Sequence, residues 1–144
     1  MVDISNTSLE LAKQSGADHT VKADGSEVDA VLNLTGGVGA EAVIDFVGEK
    51  GTTAKGLAMT RPMGNYYIVG YGEDIQIPAV DLIITERNII GNLVGTWAEL
   101  TELMALADRG LVELAIQEYK LSDANQALKD LNNGKIKGRA VLIP

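Results

Sequence analysis

Cysteine is absent from the 144 residues, which removes disulfides, thiolate metal ligands and cysteine nucleophiles together. It also suggests an intracellular, cytoplasmic chain. Histidine is nearly absent as well. His19 stands alone, a lone imidazole makes a poor metal site without partners, and a structural place at the start of a strand is expected for it. Positive charge is scarce, with 12 basic against 20 acidic side chains, a net charge of -8 and no basic cluster. That balance repels nucleic acid and anionic lipid headgroups, so neither is expected as a partner. No apolar run approaches the length needed to span a bilayer, and no signal-type run follows Met1. Internal repeats, low-complexity tracts and Ser/Gly/Pro-rich linkers are also missing. What remains is a chain of single-domain length, able to bury a core and to carry an appended lobe.

Three segments concentrate aliphatic residues without polar alternation: Ala42 to Val47 (AVIDFV), Asn65 to Val69 (NYYIV) and Asn88 to Val94 (NIIGNLV). They read as buried parallel strands covered on both faces. Helical spacing lies between them. Ser5 caps a helix carrying Leu9 and Ala12 that stops before Gly16. Ser26 and Asp29 have capping-box spacing ahead of Val28, Val31 and Leu32. A third helix is expected from about Thr53 through Leu57 and Ala58, ending near Pro62 and Gly64. The fourth is the best marked: Thr96 and Glu99 have capping-box spacing, Leu100, Leu103, Met104 and Ala107 form a stripe, and Gly110 stands at the C-cap. Alternating strands and helices predict an α/β fold, a doubly wound parallel sheet with helices on both faces. After Gly110 a different unit follows: a strand near Ile116 to Leu121, a helix capped by Ser122 with Ala124, Ala127, Leu128 and Leu131, and a closing strand Arg139 to Ile143. The division expected is residues 1–96 and residues 97–144.

Val2 to Ser5 (VDIS) reads as the end of a strand running into a capped helix. Together with SLELAKQSGADHTV, LNLTGGVG, AVIDFVG, RPMGNYYIVGYG, IIGNLVGTWAEL and the closing GKIKGRAVLIP, it resembles the zinc-type medium-chain alcohol dehydrogenases over essentially the whole chain. The resemblance implies a Rossmann-like NAD-binding domain in residues 1–96. It also implies a C-terminal helix and lobe, residues 97–144, that in the family packs on the catalytic domain. The family's coenzyme domain begins with a strand, a glycine-rich phosphate turn and a helix, and these are missing here. Gly36, Gly37 and Gly39 form a superficially similar GGVG, but they follow a helix and read as its terminating turn.

By resemblance, Asp3 accepts hydrogen bonds from the adenosine ribose hydroxyls, which favours NAD over NADP; the residue also reads as an ordinary acid at a helix start. Where the family often carries Lys or Arg beside the adenosine, this chain has Ser8. Three strand ends match coenzyme-contacting positions: Val47 and Gly48 on the adenosine side, and Gly70 with Tyr71 and Val94 with Gly95 on the nicotinamide side. A glycine after a strand is also an ordinary turn residue. Arg139 matches a position that reaches the pyrophosphate, for which a planar guanidinium is suited, or it is a solvated surface arginine. Asp45, inside a strand, must be hydrogen bonded or paired if buried, and a structural role is favoured. Tyr71 and Trp97 line a cleft or simply pack.

In the intact family a catalytic zinc polarises the alcohol oxygen and hydride passes to the nicotinamide. The zinc ligands belong to a domain this sequence lacks, so no catalytic residue and no metal ligand is assigned, and zinc is not expected here. The resemblance implies part of an NAD-dependent alcohol dehydrogenase that alone is catalytically incomplete and binds NAD at most weakly. A non-catalytic assembly domain derived from a dehydrogenase is the alternative. A zinc-free quinone-reductase parent is a third reading, although VGT and GRAVLIP look more like the zinc branch. A homo-oligomer is expected, joined through the strand edge at 88–95 or through the vacated centre of the sheet, since open hydrophobic edges invite pairing.

Overall fold

The computed structural model describes all residues from Met1 to Pro144. It is an α/β structure in which every strand pair is parallel. The chain divides into two compact units, one of residues 1–4 and 19–94, the other of residues 5–18 and 95–144. No helix is long and apolar enough to cross a membrane.

The first unit holds β1 (Val2–Asp3), β2 (Val21–Lys22), α2 (Glu27–Leu34), β3 (Ala40–Asp45), α3 (Thr52–Met59), β4 (Thr60–Ile68), α4 (Ala79–Thr85) and β5 (Asn88–Gly91), where α1 is the helix Asn6–Gln14 of the second unit. Its strands form two sheets, β1-β2 and β3-β4-β5, with no hydrogen-bonded strand in common. The second sheet is in register at its carboxyl ends, where Asp45 lies opposite Ile68 and Ile68 opposite Gly91.

Expectation and structure part at several places. The three hydrophobic runs differ from their strands in extent: β3 begins at Ala40 and stops at Asp45, before Phe46 and Val47, β4 begins five residues early at Thr60 and ends at Ile68, and β5 stops at Gly91. Nor are the first and third covered on both faces, since Ile44, Phe46, Val47, Leu93 and Val94 are all more than half exposed. The third helix ends at Met59, and Pro62 and Gly64 lie inside β4. Their disruptive effect is real but falls on the sheet. Proline has no N–H to offer a ladder, and the β3-β4 register jumps between Ala40↔Thr60 and Ala42↔Asn65. Ser26 precedes α2 without capping it, because its hydroxyl donates to the Asp24 carboxylate (2.7 Å). Helix α4 has no counterpart in the sequence reading.

The core of this unit is small. Leu57, Met59 and Tyr66 are its buried hydrophobic residues, joined by Glu27, Asp45, Thr53 and Thr60. Glu27 is 2% exposed, yet its carboxylate accepts from the Gly25 amide (2.6 Å) and pairs with the Lys55 ammonium (2.5 Å), tying α2 to α3. A buried charge persists only with such partners. The hydrogen bond from Lys55 is the main cause holding the Glu27 carboxyl below its ordinary value.

The second unit comprises α1, α5 (Trp97–Asp108), β6 (Ile116–Lys120), α6 (Ala124–Asn132) and β7 (Arg139–Ile143), with β6 and β7 paired in parallel. Ser5 caps α1, its side chain accepting from the Ser8 amide (3.3 Å). The capping box of α5 forms as the spacing predicts: the Thr96 hydroxyl accepts from the Glu99 amide (3.3 Å) and the Glu99 carboxylate from the Thr96 amide (2.5 Å). The helix buries none of its residues, so its apolar stripe is left without cover. Ser122 is not the cap of α6. It sits in a 3-10 turn, Leu121–Asp123, and its hydroxyl donates to the Asp123 carboxylate (3.2 Å).

Candidate functional site

In an open parallel sheet the carboxyl ends of the strands are where side chains and loop backbone are free to meet a ligand. Here those ends are Asp45, Ile68 and Gly91, and the loops after β3 and β4 pack against each other. The packing is set by glycine. Gly48 has φ +59°, and a Cβ there would overlap the Gly70 carbonyl; a Cβ on Gly70 would overlap the Val47 carbonyl. Two backbones touch with nothing between them, which only residues without side chains allow.

Asp45 anchors this arrangement from below. It is 7% exposed, and one carboxylate oxygen accepts from the amides of Val47 (2.8 Å) and Gly48 (2.9 Å). The other accepts from the Tyr66 hydroxyl (2.7 Å), whose side chain is fully buried. The Asp45 peptide carbonyl meanwhile accepts from the amides of Val69 (2.9 Å) and Gly70 (3.0 Å). One residue thus binds both loops, by its side chain on one and its main chain on the other. Burial, the largest influence on its carboxyl, pushes its pKa up, but the hydrogen bonds from Tyr66, Gly48, Val47 and Thr52 outweigh it and hold it below the ordinary value. Burial first, then the hydrogen bond to Asp45 and its charge, drives the Tyr66 hydroxyl far above its ordinary range. The ring of Tyr66 fills the space beside Gly56, where a Cβ would strike it.

The second polar group is Glu73. Its Oε2 accepts from the Gly51 amide (2.7 Å), and its Oε1 from the Thr53 amide (3.0 Å) and hydroxyl (2.6 Å), so the carboxylate sits on the start of α3. The Thr53 hydroxyl is the first cause holding the Glu73 carboxyl below its ordinary value. Gly51, Thr53, Ala54, Leu57, Glu73, Asp74 and Gln76 line a recess beside it. Sequence reasoning had no access to Glu73, Thr53 or Tyr66 as a set, because their partners lie about 20 residues away with no periodic signal between.

The carboxyls of Asp45, Glu27 and Glu73 are all held below their ordinary pKa values. Groups ionised more readily when folded add stability above the unfolded values, here near 3.8 for Asp and 4.5 for Glu, and that stability is lost as pH falls through the folded values. Melting temperature is therefore expected to be flat from pH 8 to about 5 and to fall below about pH 4.5. A melting temperature that rose on acidification would contradict this.

Val47, Gly48, Gly70 and Tyr71 are brought together by the loop contact just described. Asp3 ends β1 opposite Lys22, its carbonyl accepting from the Ala23 amide (2.9 Å). Val94 follows the end of β5 and is largely exposed. Gly95 and Arg139 belong to the second unit; Arg139 opens β7 and its amide donates to the Ala115 carbonyl (2.8 Å). Tyr71 and Trp97 pack into no core, as both are highly exposed. The exposed His19 offers its carbonyl to the Met1 ammonium (2.8 Å). The donor set does not fit zinc: there is no cysteine, one histidine, and no three His, Asp or Glu side chains converge.

Comparison with known proteins gives this geometry its context. Residues 1–109 match the family described as zinc-binding dehydrogenase. The chain is 35% identical to an NAD-dependent alcohol dehydrogenase of Sulfurisphaera tokodaii, with 99% of this chain covering 42% of that protein. It is 37% identical to one of Sulfolobus acidocaldarius, with 98% covering 41%. Among solved structures it superimposes on the alcohol dehydrogenase of Aeropyrum pernix with a TM-score of 0.91 and 39% identity, over 99% of this chain and 42% of that one. The chain thus spans about two fifths of the length of these relatives. With most of its sequence matched and its α/β fold shared, the chain belongs to the zinc-binding dehydrogenase family.

Proposed function

We propose that this chain forms the coenzyme side of an NAD-dependent alcohol dehydrogenase and retains an NAD site at the carboxyl ends of its parallel strands. The observation that carries the reading is the Gly48–Gly70 contact, which presents bare backbone from two neighbouring strand ends at the place where open α/β sheets bind ligands. Asp3, at the end of β1, is assigned to the adenosine ribose, whose hydroxyls a carboxylate accepts from. Val47 and Gly48 serve the adenosine side, and Gly70, Tyr71 and Val94 the nicotinamide side. Bound NAD supplies a hydride acceptor. The alcohol chemistry itself requires a metal site that these residues do not form, so the isolated chain binds coenzyme without turning over alcohol.

Calorimetric titration tests this directly. NAD is expected to saturate the chain and to bind at least about tenfold more tightly than NADP, whose extra phosphate Asp3 would repel; Asp3→Ala is expected to weaken NAD by about tenfold. Absence of saturation at millimolar NAD would overturn the reading.

A second reading, assembly with another copy of this chain, is favoured by the strand edges. Leu93 and Val94, following β5, are 87% and 82% exposed, and β1 and β3 each end a separate sheet. Exposed edges flanked by apolar side chains promote strand addition. A homodimer or larger species is expected by light scattering, through residues 88–95 or the interval between β1 and β3. A monomer at high concentration would remove this reading and leave the coenzyme proposal untouched.

A further inference from the structure

The loops after β3 and β4 meet at three successive places. Gly48 lies on Gly70, a Cβ on Gly72 would come within 3.0 Å of the Glu49 Cβ, and Glu73 takes hydrogen bonds from Gly51 and Thr53. The first two are contacts of backbone and small groups with little directional preference. The third is charged and three-fold hydrogen bonded, and charge-assisted bonds of this kind are the stronger ones. Glu73 stands three residues beyond Gly70, so where its carboxylate is fixed, the intervening backbone has little freedom.

We infer that Glu73 is a positioning residue: by seating its carboxylate on the start of α3, it locks the Gly70–Tyr71 backbone to the Gly48 loop and so presets the nicotinamide side of the coenzyme site. The part concerning coenzyme rests on the NAD reading above. The locking itself does not. Glu73 itself touches no coenzyme and acts through the loop it holds. Glutamine is a poor replacement, because its amide offers one acceptor oxygen and sets an NH2 against one of the two backbone N–H groups.

The test combines amide hydrogen exchange with titration of two ligands, on the whole chain and its Glu73→Gln variant. In the variant the amides of Gly51, Thr53 and Gly70 are expected to exchange at least about tenfold faster, while those of Tyr66 and Ile90 in the sheet change less than about twofold. NAD affinity is expected to fall about tenfold and that of ADP-ribose, which lacks the nicotinamide, to stay within about twofold. A uniform acceleration across loops and sheet would mean that Glu73 only adds stability, and an unchanged Gly70 amide would mean that it locks nothing. Either result overturns the inference. Equal losses for NAD and ADP-ribose would overturn its coenzyme part. If wild-type chain binds no NAD, the coenzyme reading has failed, and the exchange data alone decide whether Glu73 locks the loops.

Discussion

Replacing Asp45 with alanine is expected to lower the unfolding free energy by about 3–4 kcal/mol, a large fraction of the 5–15 kcal/mol that ordinary domains possess. The magnitude comes from what is left behind. Tyr66 keeps a hydroxyl at a fully buried position with no acceptor, and the amides of Val47 and Gly48 lose theirs. A buried donor without a partner costs about 1–3 kcal/mol, and hydrogen bonds to a charged group are worth more than neutral ones. Tyr66→Phe removes the donor instead of the acceptor and leaves Asp45 with its two backbone partners, so a smaller loss of about 1–1.5 kcal/mol is expected. Urea denaturation of both single variants and the double variant measures the coupling. A coupling energy below about 0.5 kcal/mol would show that the two side chains stabilise the fold independently, against the geometry described.

Gly48→Ala carries the second large effect, a loss of about 3 kcal/mol together with loss of measurable NAD binding. Two contributions add. A left-handed backbone costs a residue with a Cβ about 1–2 kcal/mol, and forcing atoms into filled space costs about 1–3 kcal/mol more. The added methyl must also displace Gly70, which shifts the very backbone assigned to the nicotinamide side. Gly51 provides the control within the same unit. It too is left-handed, at φ +83°, but a Cβ there meets nothing within 4 Å. Gly51→Ala is therefore expected to cost only about 1 kcal/mol. Equal losses for the two variants would mean that the Gly48–Gly70 contact has no steric role.

The class of the fold and the parallel strands were legible in the sequence because they depend on local composition. Runs such as AVIDFV and the Thr96–Glu99 capping box are written in adjacent residues, and the box forms as read. The strand limits were less legible. Hydrophobicity continues through Phe46 and Val47, but Asp45 turns the chain by accepting the amides of Val47 and Gly48, so the ladder stops earlier than the apolar run. Ser26 misled for a related reason. Asp24 competes for its hydroxyl, and the informative residue there is Glu27, whose importance depends on Lys55 in another helix. Helix α4 carries few cues beyond Pro78 and Asp81. In the candidate site, the glycines at strand ends could be picked out one by one. That Gly48 and Gly70 touch, and that Glu73 holds α3, depends on pairing across the sheet, which no single segment records.

The absence of any antiparallel pair has a consequence for how this chain folds. Asn65 and Asn88, neighbours across β4 and β5, are 23 positions apart, and the other parallel pairs have similar spacing. A hairpin closes over a few residues and can form early; here every strand must wait for a loop of about 20 residues to close, at an entropic cost that barely differs from one pair to the next. No sheet has a head start, and none forms before a crossover's length of chain has been gathered in. Strand pairing and long-range order therefore arise together, and the protein has no small β seed from which to grow.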